Sequence, residues 1–234
     1  MKINKTLIII SLLLIFCISL GAVSAADNTD MSVNDINNED VATVESSIMN
    51  EEISTVSEEE IHKSSEIYSA IYNIVNGSYN ITNDYQIDTT WKIHNDNVVI
   101  NGNNHTIYGN GKQAFNITGH NVSIINLNFV NCSSANFGGA IYFSSTVGNV
   151  SGCSFVNCSS ANFGGAIYFG GSGSSVSYCS FVNCSSADSG GAIYFRGVGS
   201  GNVSGCSFVS CNATSYGGAI YFASGNVSGC SFSN

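Results

Sequence analysis

The chain has 234 residues, 25 glycines, no proline, 9 cysteines and a formal net charge of -10. Charged residues make up 9% of it, where an ordinary globular domain has roughly a quarter. With 6 Lys plus Arg in all, nothing could neutralise a run of phosphates, which excludes nucleic acid as a partner. The apolar share of 44% is enough to build a core.

Residues 1–25 open with Lys2 and Lys5, continue with an apolar run from Leu7 to Leu20, and close on Val23, Ser24 and Ala25. This is the pattern of a cleaved secretory signal peptide. The apolar run is shorter than the ~20 residues that comfortably span a bilayer. Cys17 leaves with the signal, so eight cysteines remain. Residues 26–63 read as an acidic disordered linker. Residues 27–66 hold twelve acids and one base, Lys63, a net charge of -11. Removing Lys2 and Lys5 takes the mature chain from -10 to -12, which leaves -1 for residues 67–234. A segment so charged cannot bury enough apolar surface to offset its chain entropy. It reads as a solvated tether; cation binding or a spacer through a cell wall is the other use of such a segment.

Residues 64–75 predict a short capping helix, with Ile67, Ala70, Ile71 and Ile74 on one face and Ser64 as N-cap. Residues 85–107 read as a first, irregular coil. Then the chain repeats itself. Gly-Gly-Ala-Ile-Tyr-Phe occurs at 138–143, 164–169, 190–195 and 217–222, in steps of 26, 26 and 27. Phe129, Phe155, Phe181, Phe208 and Phe232 form a second series, and Ile100, Ile124, Val150, Val176, Val203 and Val227 a third. Such periods signal a repeat architecture. Glycine pairs, serine runs and the lack of a 3.6-residue apolar period argue against helices. Short alternating pieces argue for strands, with Ile141 and Phe143 on one face and Ala140 and Tyr142 on the other.

Three such strands per coil, in coils of about 24–27 residues stacked at the ~4.8 Å strand spacing, make a parallel β-helix over residues 64–234. Like residues then stack in columns. Asn131, Asn157 and Asn183 fall at strand ends, where an amide ladder would form and shield them from solvent. An antiparallel sandwich, the main rival, would not require identical residues at each period. The chain stops at Asn234, three residues into a strand pattern. This predicts a C-terminally incomplete solenoid, with further repeats or an anchor beyond it.

Two sets of residues resemble a known group. The run Asn97-Val98-Val99-Ile100-Asn101-Gly102-Asn103-Asn104-His105-Thr106-Ile107, followed by Phe115-Asn116-Ile117 and Asn121-Val122-Ser123-Ile124, is similar to the first coils of pectin-lyase-like surface proteins. The Gly-Gly-Ala-Ile motif with an upstream Phe-x-x-Asn resembles the polymorphic outer membrane protein repeat, also abundant in methanogen adhesin-like proteins. Here Cys132, Cys158, Cys184 and Cys211 replace that Asn. The resemblance covers residues 64–234. It implies an all-β, right-handed, single-stranded parallel β-helix on an exported, adhesin-like protein. The implied location is the cell surface or envelope, the outer membrane included, or the medium. The implied partners are cell-surface glycans or proteins. It also implies an alternative, a polysaccharide lyase or hydrolase, since enzymes of this fold cluster Asp with Arg, Lys or His.

The residues themselves offer little chemistry. Residues 121–234 contain one acid, Asp188, and one base, Arg196, where a hydrolase needs paired carboxylates. Upstream, Asp84, Asp88, Asp96, Lys92, Lys112, His94, His105 and His120 could converge, or could be polar turn residues. The histidines share no zinc-ligand spacing, and no cofactor or catalytic residue is implied. Cysteines form two columns: Cys153, Cys179, Cys206 and Cys230, and Cys132, Cys158, Cys184 and Cys211. They suit either disulfides of an exported chain or thiols packed as small core residues. Tyr142, Tyr168, Tyr194 and Tyr221 form an outward ladder, the candidate binding face, which could stack on sugars or a partner protein or simply stabilise neighbouring strands. Asn-x-Ser/Thr sequons recur, and exposed ones could carry glycans.

Overall fold

The structure, a computed structural model, describes residues 62–63, 65–144, 147–197 and 201–234. The expected signal peptide, Cys17, the N-cap Ser64 and all but the last two residues of the expected linker lie outside the described residues. The linker's last two residues, His62–Lys63, are already a strand (β1). The helix α1 follows at Ser65–Tyr72 and then β2 at Ser78–Asn80.

From there a constant order holds. Tyr85–Gln86 (β3), Trp91–Ile93 (β4) and Val99–Asn101 (β5) make one coil, and Thr106–Tyr108 (β6), Phe115–Ile117 (β7) and Val122–Ile125 (β8) the next. Each strand pairs in parallel with its counterpart one coil away, with like residue beside like. Among the described residues this builds sheets of eight, six and seven strands, a parallel β-solenoid of about six turns. β1 begins the eight-stranded sheet and β2 the seven-stranded one. In the first coil, therefore, α1 stands in chain order where every later coil has a strand of the six-stranded sheet. It packs on β4. Ile67 and Ile71 are buried there and Ile74 is partly buried, while Ala70, expected on the same face, is exposed. A helix satisfies its own backbone, so it ends the sheet without leaving an open edge.

Three strands per coil hold only at first. Asn128–Val130 (β9) is followed by Ser133–Ser134 (β10), Ile141–Phe143 (β11) and Gly148–Ser151 (β12). From Ile107 to Phe115 is 8 residues; from Phe129 to Ile141 it is 12, and the same holds for each later coil. The four added residues turn one corner into a fourth, four-stranded sheet, in which Ser133, Ser159, Ser185 and Asn212 are in register.

The core is columnar. Phe129, Phe155, Phe181 and Phe208 are buried, with ring centroids 4.8, 4.8 and 4.9 Å apart. Phe143, Phe169 and Phe195 stack at 4.8 Å in a second column. Burial of one such side chain stabilises by ~1.5–3 kcal/mol, and each aromatic pair adds ~0.5–1.5 kcal/mol. Ala140, Ala166 and Ala192 are buried rather than outward-facing. The chain turns at Gly138 (φ 59°), and the amides of Ala140 and Ile141 both donate to the Ala166 carbonyl, at 2.9 and 3.0 Å. Strict alternation therefore begins only at Ile141.

The expected amide ladder is also displaced. It forms in the first coils, where Asn97 donates to Asn76 (3.1 Å) and Asn121 to Asn97 (2.8 Å). Asn131, Asn157 and Asn183 instead take left-handed φ of 54°, 54° and 52° at an outer corner. Asn157 and Asn183 are exposed there, not shielded.

Candidate functional site

The tyrosine ladder is in register: Tyr142 pairs with Tyr168, Tyr168 with Tyr194 and Tyr194 with Tyr221. Ring centroids lie 5.4, 5.4 and 4.8 Å apart, and the last two pairs are within 8° of coplanar. The rings therefore lie against one another. They show edges and hydroxyls to solvent rather than the flat platform expected of them. Tyr168 is in register with the others but covered, with 4% exposure.

A second aromatic column, missed in the sequence, explains this. Phe137, Phe163, Ser189 and Tyr216 are bridged in register just before each glycine pair. Phe137 stacks on Tyr168 at 4.8 Å and Phe163 meets Tyr194 at 4.7 Å, each one coil further along. The signal was available as an aromatic preceding Gly-Gly in three of the four repeats, with Ser189 the exception. The Arg196 guanidinium acts on the Tyr168 phenol. Burial nonetheless raises the Tyr168 pKa, against the lowering effect of that guanidinium. Burial also raises Tyr194, assisted by Tyr221 and by the Asp188 carboxylate. The acid and the base of residues 121–234 thus both act on this seam, in one repeat. Ser189 donates to Asp188 at 2.7 Å.

The upstream ionisable residues do not converge. His105 Nδ1 and Asp84 Oδ1 are 3.3 Å apart at the corner leading to the eight-stranded sheet. Lys112 Nζ donates to the Asp88 carbonyl (2.8 Å) before the six-stranded sheet. The His120 amide donates to Asp96 Oδ1 (2.7 Å) before the seven-stranded sheet. Lys92 and His94 lie exposed on and beside β4, with His94 against the Tyr72 ring at 4.3 Å. Each pairing ties a turn to the coil next to it.

All eight cysteines of the described residues are free thiols. Cys153 and Cys158 flank strand Ser154–Val156; at ~3.3 Å per residue their Cα atoms lie beyond the ~7 Å that a disulfide tolerates. Neighbours in a column repeat one bonding pattern. The Cys153, Cys179 and Cys206 amides donate to the Sγ of Cys179, Cys206 and Cys230 at 3.4, 3.4 and 3.3 Å. Each of those thiols also donates to the carbonyl two residues earlier, at 3.2–3.4 Å for Cys179, Cys206 and Cys230. The Cys153 thiol beside it, ahead of burial, pushes Cys179 up to about 12. Burial raises Cys158 well above its ordinary value, and the Cys158 thiol does the same to Cys184. These are protonated, inert groups. Among the described residues, no three His, Cys, Asp or Glu side chains group as a metal centre.

No protein-family model, no curated protein and no solved structure matches this chain.

Proposed function

We propose that the chain is an exported, non-catalytic, adhesin-like protein of the cell surface or envelope. In this reading an acidic tether carries a right-handed, pectin-lyase-like solenoid with outer-membrane-protein-type repeats, and its long faces meet glycans or partner proteins. The observation that carries it is the seam of Tyr142, Tyr194, Tyr221, Phe137, Phe163 and Tyr216, partly or fully exposed on a rod otherwise nearly free of charge. Tyr and Trp rings with one wet edge are what recognition surfaces use. Because the rings cover each other's faces, contact would be through hydroxyls and ring edges. The non-catalytic reading is supported by Asp84, Asp88 and Asp96 standing at three different corners and by Asp188 standing alone in its repeats. A hydrolase would need two carboxylates facing one bond.

The test is binding of the secreted protein to immobilised cell-surface glycans, against a Tyr142→Phe, Tyr194→Phe, Tyr221→Phe triple variant. That variant keeps the stack and removes the hydroxyl row. Binding that falls at least tenfold supports the seam. Unchanged binding removes it, and turnover of an acidic polysaccharide by the wild type would overturn the non-catalytic reading.

A further inference from the structure

A second surface feature lies on a different corner, between the seven- and eight-stranded sheets. There each coil turns through one left-handed residue: Asn126, Gly152, Tyr178, Gly205 and Gly229, with φ of 52°, 62°, 54°, 62° and 60°. Four of the five are Asn or Gly, the residues that accept this conformation. Tyr178 is the exception. An aromatic residue there is strained. Burial does not compensate it, because Tyr178 is 75% exposed, the largest exposure among the large hydrophobic residues of the described chain.

The ring is nonetheless held in place. A Cβ added to Gly205 would meet Tyr178 Cδ1 at 2.9 Å and Cε1 at 3.0 Å, so one edge of the ring fills the space that a side chain at 205 would take. Glycine at 152 and 205 leaves no side chain on either neighbouring coil to cover it. The turn is tied to its neighbours, with the Gly152 amide donating to the Ser177 carbonyl, the Tyr178 amide to the Ser204 carbonyl and the Gly205 amide to the Ser228 carbonyl, at 3.0, 2.9 and 2.9 Å. Hydroxyl columns run along both sides. On one side Ser151, Ser177 and Ser204 are in register, with Ser177 donating to Ser151 at 3.0 Å; on the other are Ser154, Ser180 and Ser207.

We infer that Tyr178 is the platform of a carbohydrate subsite, which takes the C–H face of a neutral pyranose on its open ring while the flanking serines bond the sugar's hydroxyls. A fixed aromatic face bordered by uncharged donors and acceptors matches an amphipathic, uncharged ring and offers nothing to a charged ligand. The inference rests on the glycan reading above but places a contact at a different corner from the tyrosine seam.

The experiment compares wild type, Tyr178→Gly, Tyr178→Trp and the seam triple variant, each titrated with cellohexaose and chitohexaose by calorimetry and melted in parallel. Tyr178→Gly fits the left-handed turn, so it should fold and melt about 2–4 °C higher. It should weaken binding about tenfold or more, while Tyr178→Trp keeps it. Undiminished binding by Tyr178→Gly overturns the subsite, and if the seam variant alone loses binding, only the seam reading survives. A wild type that binds neither sugar, while still binding immobilised cell-surface glycans, overturns the subsite and leaves the seam reading standing. A lower melting point for Tyr178→Gly shows the ring to be a structural contact on Gly205 and overturns it too.

Discussion

The ring of Phe137 lies 4.8 Å from that of Tyr168 one coil further along, with planes 26° apart, and this contact closes over a tyrosine that strand alternation alone would leave outside. Replacing Phe137 by Ser should reopen Tyr168. The Tyr168 phenol, raised by burial, should then titrate closer to its ordinary range, and stability should fall by about 1–3 kcal/mol. Spectrophotometric titration and urea unfolding measure the two effects. A titration curve identical to wild type would show that Phe137 is not what covers the ring.

The second glycine of the first three pairs, Gly139, Gly165 and Gly191, is a packing requirement. A Cβ at Gly165 would run into the carbonyl oxygens of Gly191 and Ser185, which are backbone and cannot swing aside. Gly165→Ala should therefore cost several kcal/mol or prevent folding. Gly77→Ala, whose new Cβ meets nothing closer than 3.5 Å, should stay within about 0.5 kcal/mol of wild type. Equal melting temperatures for the two variants would contradict the close approach of coils at this corner.

Ser210 occupies the left-handed corner that Asn131, Asn157 and Asn183 hold in the preceding coils, at φ 51°. Asn tolerates that conformation better than Ser. Ser210→Asn should add about 0.5 kcal/mol, read as a higher urea midpoint at unchanged slope. A lower midpoint would mean that the hydroxyl makes a contribution the corner geometry does not reveal.

The buried thiols make stability depend on alkali. Cys179 is held up to about 12 and Cys158 and Cys184 are raised well above the ordinary range. Their folded-state pKa values exceed the unfolded values, so the stabilisation is complete below an unfolded thiol pKa of ~8.5. It drains away as pH rises from there toward the folded values. Each such thiol removes up to ~1.4 kcal/mol per pH unit in that window. Urea midpoints at pH 7, 9 and 10.5 should fall progressively above pH 9, and less so in Cys179→Ala. Native thiols should resist labelling at pH 8 and react fully in denaturant.

Much of this architecture is legible in the sequence. A residue repeated at a fixed period is informative when coils stack in register, because the solenoid translation turns each repeat into a column. Phe155 thus announced its neighbours Phe129 and Phe181, and Ile141 its partner Ile167. Local alternation was less dependable. Ala140 faces inward because the left-handed turn at Gly138 resets the phase of the strand. Asn157 was misplaced for a related reason: a residue that reads as the end of a strand can equally be the turn itself, and only the backbone torsion distinguishes them.

The sequence by itself determined the coil, its period and its core columns, since those follow from which residues recur and at what spacing. It also singled out Asp188 and Arg196 as the charges of the repeat region. The tertiary structure alone decided what each corner presents to solvent. It placed Phe137 over Tyr168, separated Asp84, Asp88 and Asp96 onto three corners, and laid Tyr178 open across Gly205. Recurrence fixes what lies above what along the axis; what meets around the circumference depends on turn torsions and coil-to-coil offsets that no period encodes.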